Sequence, residues 1–254
     1  MADKTMIEIS NVTQSFLAGD ETIQVIRRAD FSIKDNSFNI IYGPSGSGKS
    51  TLLNIISGLQ RPTSGTVKVE GRDIYTYRPD ELANFRANRI GIVYQTNYWV
   101  SSLNTLENVA LPLNFLGYSR PTAEKLAKQT LERVGMGAYA KKSPLLLSGG
   151  EQQRIAMARA LASTPLFIIA DEPTGNLDAA NGDKIIELLQ SCQKDFHCTI
   201  VLVTHNIEYL PLGDAILHIE DGKVVQSSGD TVATTDQLLA ELKTRLDQMK
   251  RVKK

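Results

Sequence analysis

The sequence predicts an α/β fold with a central parallel sheet and an inserted helical subdomain. Three observations carry this expectation. A strand-like run, 37–42 (SFNIIY), passes through a glycine-rich loop into a helix-like run, 49–57 (KSTLLNIIS). Two apolar runs, 166–170 (LFIIA) and 199–203 (TIVLV), have strand length and the character of strands buried on both faces of a parallel sheet. Between about Thr96 and Thr164 the β-branched runs disappear and helical patterns take over.

The remaining elements follow in order. Ile7-Glu8-Ile9 alternates, as a half-buried strand does, and Phe31 and Ile33 alternate with Ser32 and Lys34 in the same way. Residues 66–70 (TVKVE) form another strand, turned by Glu70-Gly71, and 90–94 (IGIVY) another. Helices are expected over 105–116, 122–134 and 150–162, and over 183–193, where Ile185, Ile186, Leu188 and Leu189 share a side. Residues 215–219 and 223–225, joined at Asp221-Gly222, read as an edge hairpin. A last helix is expected over 235–254, with Leu238, Leu239, Leu242, Leu246 and Met249 on one face. It ends in a basic run, 250–254, suited to solvent or to contact with anionic lipid or a partner chain.

A chain of 254 residues, 42% hydrophobic and 22% charged, can bury a substantial core. Its 28 basic and 28 acidic residues leave no basic excess, which argues against a nucleic-acid partner. Cys192 and Cys198 are the only cysteines and read as reduced, partly buried thiols of a cytosolic protein. Three histidines without cysteine partners do not suggest zinc. Residues 1–10 lack the apolar stretch of a signal peptide. No window reaches the roughly 18 apolar residues that cross a bilayer, so any membrane span is expected from other chains.

Gly43-Pro44-Ser45-Gly46-Ser47-Gly48-Lys49-Ser50-Thr51 matches GxxxxGK[ST]. Small residues let the backbone curl around phosphate oxygens, and the following helix presents its positive end. Lys49 can reach the β and γ phosphates, and Ser50 can offer a hydroxyl to Mg2+. The run 166–172 (LFIIADE) places two acids at the carboxyl end of a buried strand, where ligands bind in this fold class. Asp171 takes the position expected to hold Mg2+. Glu172 can accept a proton from an attacking water. Together the two motifs point to a P-loop nucleoside triphosphatase.

Residues 147–154 (LSGGEQQR) narrow the field. They resemble the signature motif of ABC ATPases, where Ser148, Gly149, Gly150 and Glu151 open a helix and form a second anion site. The resemblance spans about residues 7–225. It implies a P-loop NTPase (RecA-like) core with an antiparallel β subdomain and an inserted α-helical signature subdomain. The corresponding ATP-binding domain is 5–228, with the core at 5–95 and 164–228 and the helical subdomain at 96–163. Residues 229–254 form a helical tail.

The same resemblance implies the ligands ATP and Mg2+ and a head-to-tail dimer in which the signature of one copy closes on the γ-phosphate of the other. Gln95 looks like the glutamine that contacts Mg2+ or the water, Asp178 like part of the loop along the dimer interface, and His205 like the switch histidine at the γ-phosphate. Phe16 lies where the family stacks an aromatic on adenine, an ordinary core phenylalanine being the alternative. Residues 174–178 (TGNLD), 107–109 (ENV) and 111–113 (LPL) are similar to the lipoprotein-release, macrolide-export and cell-division branch. Members of that branch pair with membrane permease subunits that have large extracytoplasmic domains, which implies a peripheral place on the cytoplasmic side of the inner membrane. Export, extraction or mechanotransmission follows from the same likeness. The rival is a soluble ABC ATPase of DNA repair or translation, but those usually carry two cassettes or a long coiled-coil insertion. A regulator without turnover would lack Lys49 or Glu172. The segment 97–100 (NYWV) is unusually aromatic, and Trp99 is expected either at the membrane-subunit interface or in the core of the helical subdomain. Residues 141–146 (KKSPLL) depart from the aromatic or His-containing stretch usual before the signature.

Overall fold

A computed structural model describes residues 4–228, so the helix and basic run expected beyond 229 lie outside the described residues. The chain opens with a long antiparallel hairpin, β1 (Thr5–Ala18) and β2 (Glu21–Lys34). After β3 (Phe38–Tyr42) and the glycine loop comes α1 (Lys49–Ile56). Strand β4 (Ser64–Val69) then pairs with β1 and with the short β5 (Arg72–Asp73). These four strands form an antiparallel sheet in the order β2-β1-β4-β5. The rest of the chain supplies α2 (Pro79–Arg89), β6 (Ile90–Val93), α3 (Thr105–Phe115), α4 (Arg120–Arg133), α5 (Gly149–Leu161), β7 (Phe167–Asp171), α6 (Ala179–Phe196), β8 (Thr199–Thr204), β9 (Ala215–Glu220) and β10 (Lys223–Ser228).

The second sheet has the order β10-β9-β3-β8-β7-β6. Its strands run parallel except for β10, which closes the edge as the expected hairpin with β9. Period-2 alternation sends successive residues of its strands into two different cores. Ile168, Ala170, Ile200 and Leu202 join Val109, Leu131, Ile155 and Leu189 from α3, α4, α5 and α6. Phe167, Ile169, Val201 and Val203 join Ile55 of α1 and the inner faces of β1, β2 and β4. Burial on both faces is why these strands read as unbroken apolar runs.

The structure extends several expected elements. The helix expected from residue 183 begins at Ala179, because the Asp178 carboxylate accepts from the Asn181 N–H and caps it. The hairpin strands run well beyond the expected segments near residues 7–9 and 31–34; the added length ends in an exposed tip with little apolar alternation. Helix α2 was not foreseen: none of its residues is fully buried, so it has no apolar stripe to read. Its signals are local ones, Pro79 at the first turn and Glu81 reaching back to the Arg78 N–H. Cys192 and Cys198 are buried free thiols, each pushed up to about 12, mainly by desolvation.

Phe167 is fully buried in the middle sheet against α1 and the antiparallel sheet. Phe167→Ala should lower the unfolding free energy by about 3–5 kcal/mol, the usual cost of an unfilled aromatic site, measured by urea denaturation.

Candidate active site

The phosphate-loop residues occupy a tightly fitted turn. Gly48 has φ +105, and a Cβ there would meet Ile26 Cδ1 at 2.9 Å and the Val25 carbonyl at 3.1 Å. At Gly43 a Cβ would come within 2.2 Å of the Ile219 carbonyl, so the loop threads between β2 and β9 with room for glycine only. Gly48 caps α1 without a side-chain hydrogen bond, which leaves the first-turn N–H groups available to an anion. Ser50 is exposed at this helix start, and Thr51 is partly buried. The Ser47 hydroxyl is buried without a hydrogen-bond partner. Lys49 is buried, and its ammonium arches back to donate to the carbonyls of Gly43 and Pro44, each at 2.8 Å.

The acids arrive together at the end of β7, beside the ends of β8 and β3. Tyr42 of β3 pairs with Thr204 of β8, and Val203 of β8 pairs with Asp171 of β7. The next residues, Gly43, His205 and Glu172, therefore leave the sheet side by side. Glu172 turns out of its strand in the left-handed region, φ +47, with its N–H on the Val203 carbonyl at 2.9 Å. Its Oε2 lies 2.5 Å from His205 Nδ1. Burial raises the Asp171 pKa from its ordinary value, the neighbouring Glu172 charge adds to this, and Lys49 opposes it.

Gln95 lies beside this cluster. A Cβ on Gly175 would sit 2.8 Å from Gln95 Nε2, so the glutamine packs on the turn that follows Glu172. Asn176 Nδ2 donates to the Gln95 carbonyl at 3.5 Å. A cavity of about 430 Å³ adjoins the same end of the sheet, lined in part by Thr174, Asp183, His205 and Tyr209. Phe16 stands near the tip of the β1–β2 hairpin, opposite Ile23, and is 41% exposed; it is not a core residue.

The signature residues and Asp178 have other neighbours. Ser148 caps α5, and its N–H and hydroxyl both donate to Glu151 Oε2 at 2.8 Å. The Ser148 hydroxyl, the Ser148 N–H and the Tyr139 hydroxyl hold the Glu151 carboxyl below its ordinary range. A Cβ on Gly149 would meet Leu177 Cδ2 at 3.2 Å, and one on Gly150 would meet the Asn181 amide at 3.3 Å. Asn181 is held in turn by both oxygens of Asp178. The N-terminal ends of α5 and α6 are thus packed together. Sequence reasoning missed Asn181 and Tyr139; only the Asp178–Asn181 spacing, one helical turn, hinted at the former.

Trp99 also finds its place. It packs on the core shared by the helical subdomain and the sheet, and its indole donates to Gln152 Oε1 at 2.8 Å. The Arg159 guanidinium lies 4.6 Å from its ring centre, and burial lowers the Arg159 pKa.

Residues 26–175 match the family model described as ABC transporter. The chain belongs to the ABC transporter ATP-binding proteins. It is 42% identical over 221 residues to an uncharacterized ABC transporter ATP-binding protein of Thermotoga maritima, covering 87% of this chain and 94% of the relative. It is 37% identical over 245 residues to the macrolide export ATP-binding/permease protein MacB of Campylobacter fetus, covering 96% of this chain and 37% of that longer protein. Among solved structures, the ATP-binding cassette MJ0796, a dimer in a post-hydrolysis state bound to ADP and Pi, superposes with a TM-score of 0.81 at 39% identity, covering 88% of this chain and 98% of that one. A sequence relative of that name comes from Methanocaldococcus jannaschii. This ABC ATPase thus has the P-loop NTPase fold expected from its sequence.

The raised Asp171 pKa has a consequence for stability. A carboxyl whose folded pKa lies above its unfolded one favours folding below the unfolded pKa and loses that contribution as pH rises through the folded pKa. At neutral pH the charged Asp171 therefore works against the nucleotide-free fold. Asp171→Asn should raise the melting temperature of nucleotide-free protein at neutral pH, and the difference should shrink as pH falls toward 3.8, the ordinary carboxyl value; thermal unfolding across pH checks it.

Proposed function

We propose that this ABC ATPase hydrolyses ATP at a site built from Gly43–Thr51, Gln95, Asp171, Glu172 and His205, and that a second copy completes the site with Ser148, Gly149, Gly150 and Glu151. The observation that carries the reading is the Glu172–His205 pair, set one residue beyond the paired strand ends that also carry the phosphate loop. Glu172 takes the proton of a water attacking the γ-phosphate. His205 holds the carboxylate through Nδ1 and stands ready for the γ-phosphate. Lys49 gives up its bonds to Gly43 and Pro44 in favour of the β and γ phosphates. Phe16, exposed on the hairpin, offers a ring face to adenine.

The donor set also suits Mg2+. Hydroxyl, amide and carboxylate oxygens are hard ligands, and Mg2+ commonly binds through one or two carboxylates and the substrate phosphates. Ser50, Gln95 and Asp171 would hold it, and the raised Asp171 pKa marks a place where positive charge is lacking. The bound ion would neutralise phosphate charge.

Three features support a head-to-tail partner. The signature offers a helix N-terminus, yet it packs against Leu177 and Asn181 and not against its own phosphate loop. Asp178, which fixes Asn181 there, belongs to the same surface. Leu146, just before the signature, is 82% exposed, as is Leu17 on the hairpin, and both suit burial by a second copy. The assembly divides as 5–228, with the core at 5–95 and 164–228 and the helical subdomain at 96–163. Among the described residues no helix is long and apolar enough to cross a membrane. The MacB relatives, which join an ATP-binding part to a permease for export, support membrane permease partners and work in export. Large extracytoplasmic domains on those partners, a place on the cytoplasmic face of the membrane, and extraction or mechanotransmission as alternatives are part of the proposal and rest on the branch resemblance of the sequence.

Glu172→Gln should reduce hydrolysis by about 10²–10⁴-fold, the usual worth of a positioned base, and should accumulate an ATP-bound dimer visible by light scattering. An unchanged hydrolysis rate would remove Glu172 from the role of base, and a monomer at saturating ATP would overturn the sandwich. Lys49→Ala should abolish nucleotide binding or turnover; full ATPase activity would refute the phosphate-loop assignment.

A further inference from the structure

The segment that follows Gln95 is fastened to the signature helix by side chains that nucleotide chemistry does not use. The Trp99 indole donates to Gln152 Oε1 at 2.8 Å. The amide nitrogen of the same Gln152 donates to the Leu147 carbonyl at 2.9 Å. These partners fix the orientation of the amide, since an indole N–H needs its oxygen and a carbonyl needs its nitrogen. Leu147 and Ser148 share a peptide plane. Gln152 holds that plane by its carbonyl, and Glu151 holds it by its N–H at 2.8 Å.

Two other side chains of α5 reach the chain on either side of Gln95. Gln153 Nε2 donates to the Tyr94 carbonyl at 3.2 Å. Arg159 donates to the Asn97 carbonyl at 2.6 Å while its guanidinium covers the Trp99 ring. At the other end of the segment, Gln95 packs on Gly175 in the turn after Glu172. A path therefore runs from the Glu172 turn to Gln95 by contact, along the short chain segment from Gln95 to Trp99, and from Trp99 to Gln152 and the Ser148 peptide by hydrogen bonds.

We infer that Gln152 is a positioning residue that couples the two half-sites carried by one chain: with Trp99 it makes the Gln95 loop and the signature turn move together, so that occupancy of a chain's own phosphate loop sets the posture of the signature it offers its partner. The inference rests on the head-to-tail reading above. Its physical basis is the double use of one short amide. A displacement of Trp99 must either drag the Leu147–Ser148 peptide along or leave partly buried polar groups unpaired, and the second course is the costly one. The link then gives two ATP sites a means of cooperating.

The full chain is tested as wild type, Gln152→Leu and Trp99→Phe, with hydrolysis measured against ATP concentration. Wild type should show a Hill coefficient rising from one toward two, the number of sites. Both variants should fall toward one while keeping turnover at saturating ATP, with the melting temperature lowered only by the lost hydrogen bonds, whereas a general loss of packing would lower turnover as well. Trp99→Phe keeps a six-membered ring in place and removes the N–H donor together with the five-membered ring, so it remains informative if Gln152→Leu folds poorly. Trp99 is the single tryptophan, so its emission in the Glu172→Gln background should shift on ATP binding, and Gln152→Leu should suppress the shift. Cooperativity unchanged in both variants would overturn the proposal. So would a non-cooperative wild type, or indole emission unmoved while equilibrium dialysis shows ATP bound. Absence of ATP binding or of an ATP-dependent dimer in the Glu172→Gln protein would overturn the functional reading itself, and the coupling with it.

Discussion

Val203 pairs with Ile41 on one side and with Asp171 on the other, and this shared register governs where the chemistry stands. Adjacent strands lie about 4.8 Å apart, so three neighbouring strands ending within one residue of the same level deliver three loops into a space the size of a triphosphate. Gly43, His205 and Glu172 each come immediately after a paired residue, where the chain is free to turn but has no slack. A slip of one residue in β8 would flip its side chains between the two cores and carry His205 away from Glu172. The apolar identity of the runs 166–170 and 199–203 is therefore what aims the acids. Ile168 and Ile200 must face the helices while Ile169 and Val201 face α1 and the antiparallel sheet.

The helical insertion solves a different problem. It places a second helix N-terminus, that of α5, on the same chain but against α6. Asp178, Asn181 and Gly150 form the joint: the carboxylate orients the amide, and the absence of a side chain at Gly150 lets the amide approach. The insertion is not free to drift from the sheet, because Gln153, Arg159 and Trp99 tie α5 to the loop after β6. The helix N-terminus proposed to hold an anion is thus connected to the region of the acids by short polar contacts as well as by the apolar face that Ile155, Ala156 and Ala158 bury against the sheet.

Much of the fold was legible because its signals are local and periodic. The buried strands and the helices bearing an apolar stripe announced themselves, and the glycine loop could be placed from its flanking strand and helix. Helix α2 escaped because it has no buried face, and the far ends of β1 and β2 escaped because they pair with each other in solvent. The phosphate loop and the Asp171-Glu172 pair are contiguous motifs, so their chemistry could be read directly. Phe16 and Trp99 could not be settled that way. Each is one apolar residue whose role depends on what lies across from it, and Trp99 meets Gln152 across 53 positions. Asn181, although close to Asp178 in sequence, matters through its contact with Gly150, which no local pattern encodes.

Several of the side chains assigned to the nucleotide site are engaged with the protein itself. Lys49 donates to two loop carbonyls, Ser148 donates twice to Glu151, and Asp178 caps α6. Binding a nucleotide on the proposed reading is consequently an exchange of hydrogen bonds that are already charge-assisted, and a ligand competes by offering several charged oxygens at once. Glu151 sharpens the requirement, because its negative charge stands beside the signature's anion site and holds both Ser148 donors. On the proposed head-to-tail reading, the γ-phosphate would displace a carboxylate from Ser148 on one chain and carbonyls from Lys49 on the other. A diphosphate reaches fewer of these donors and leaves more of the internal bonds intact. Selection for a triphosphate can therefore come from the internal hydrogen bonds that the ligand must replace, as well as from the contacts that it adds.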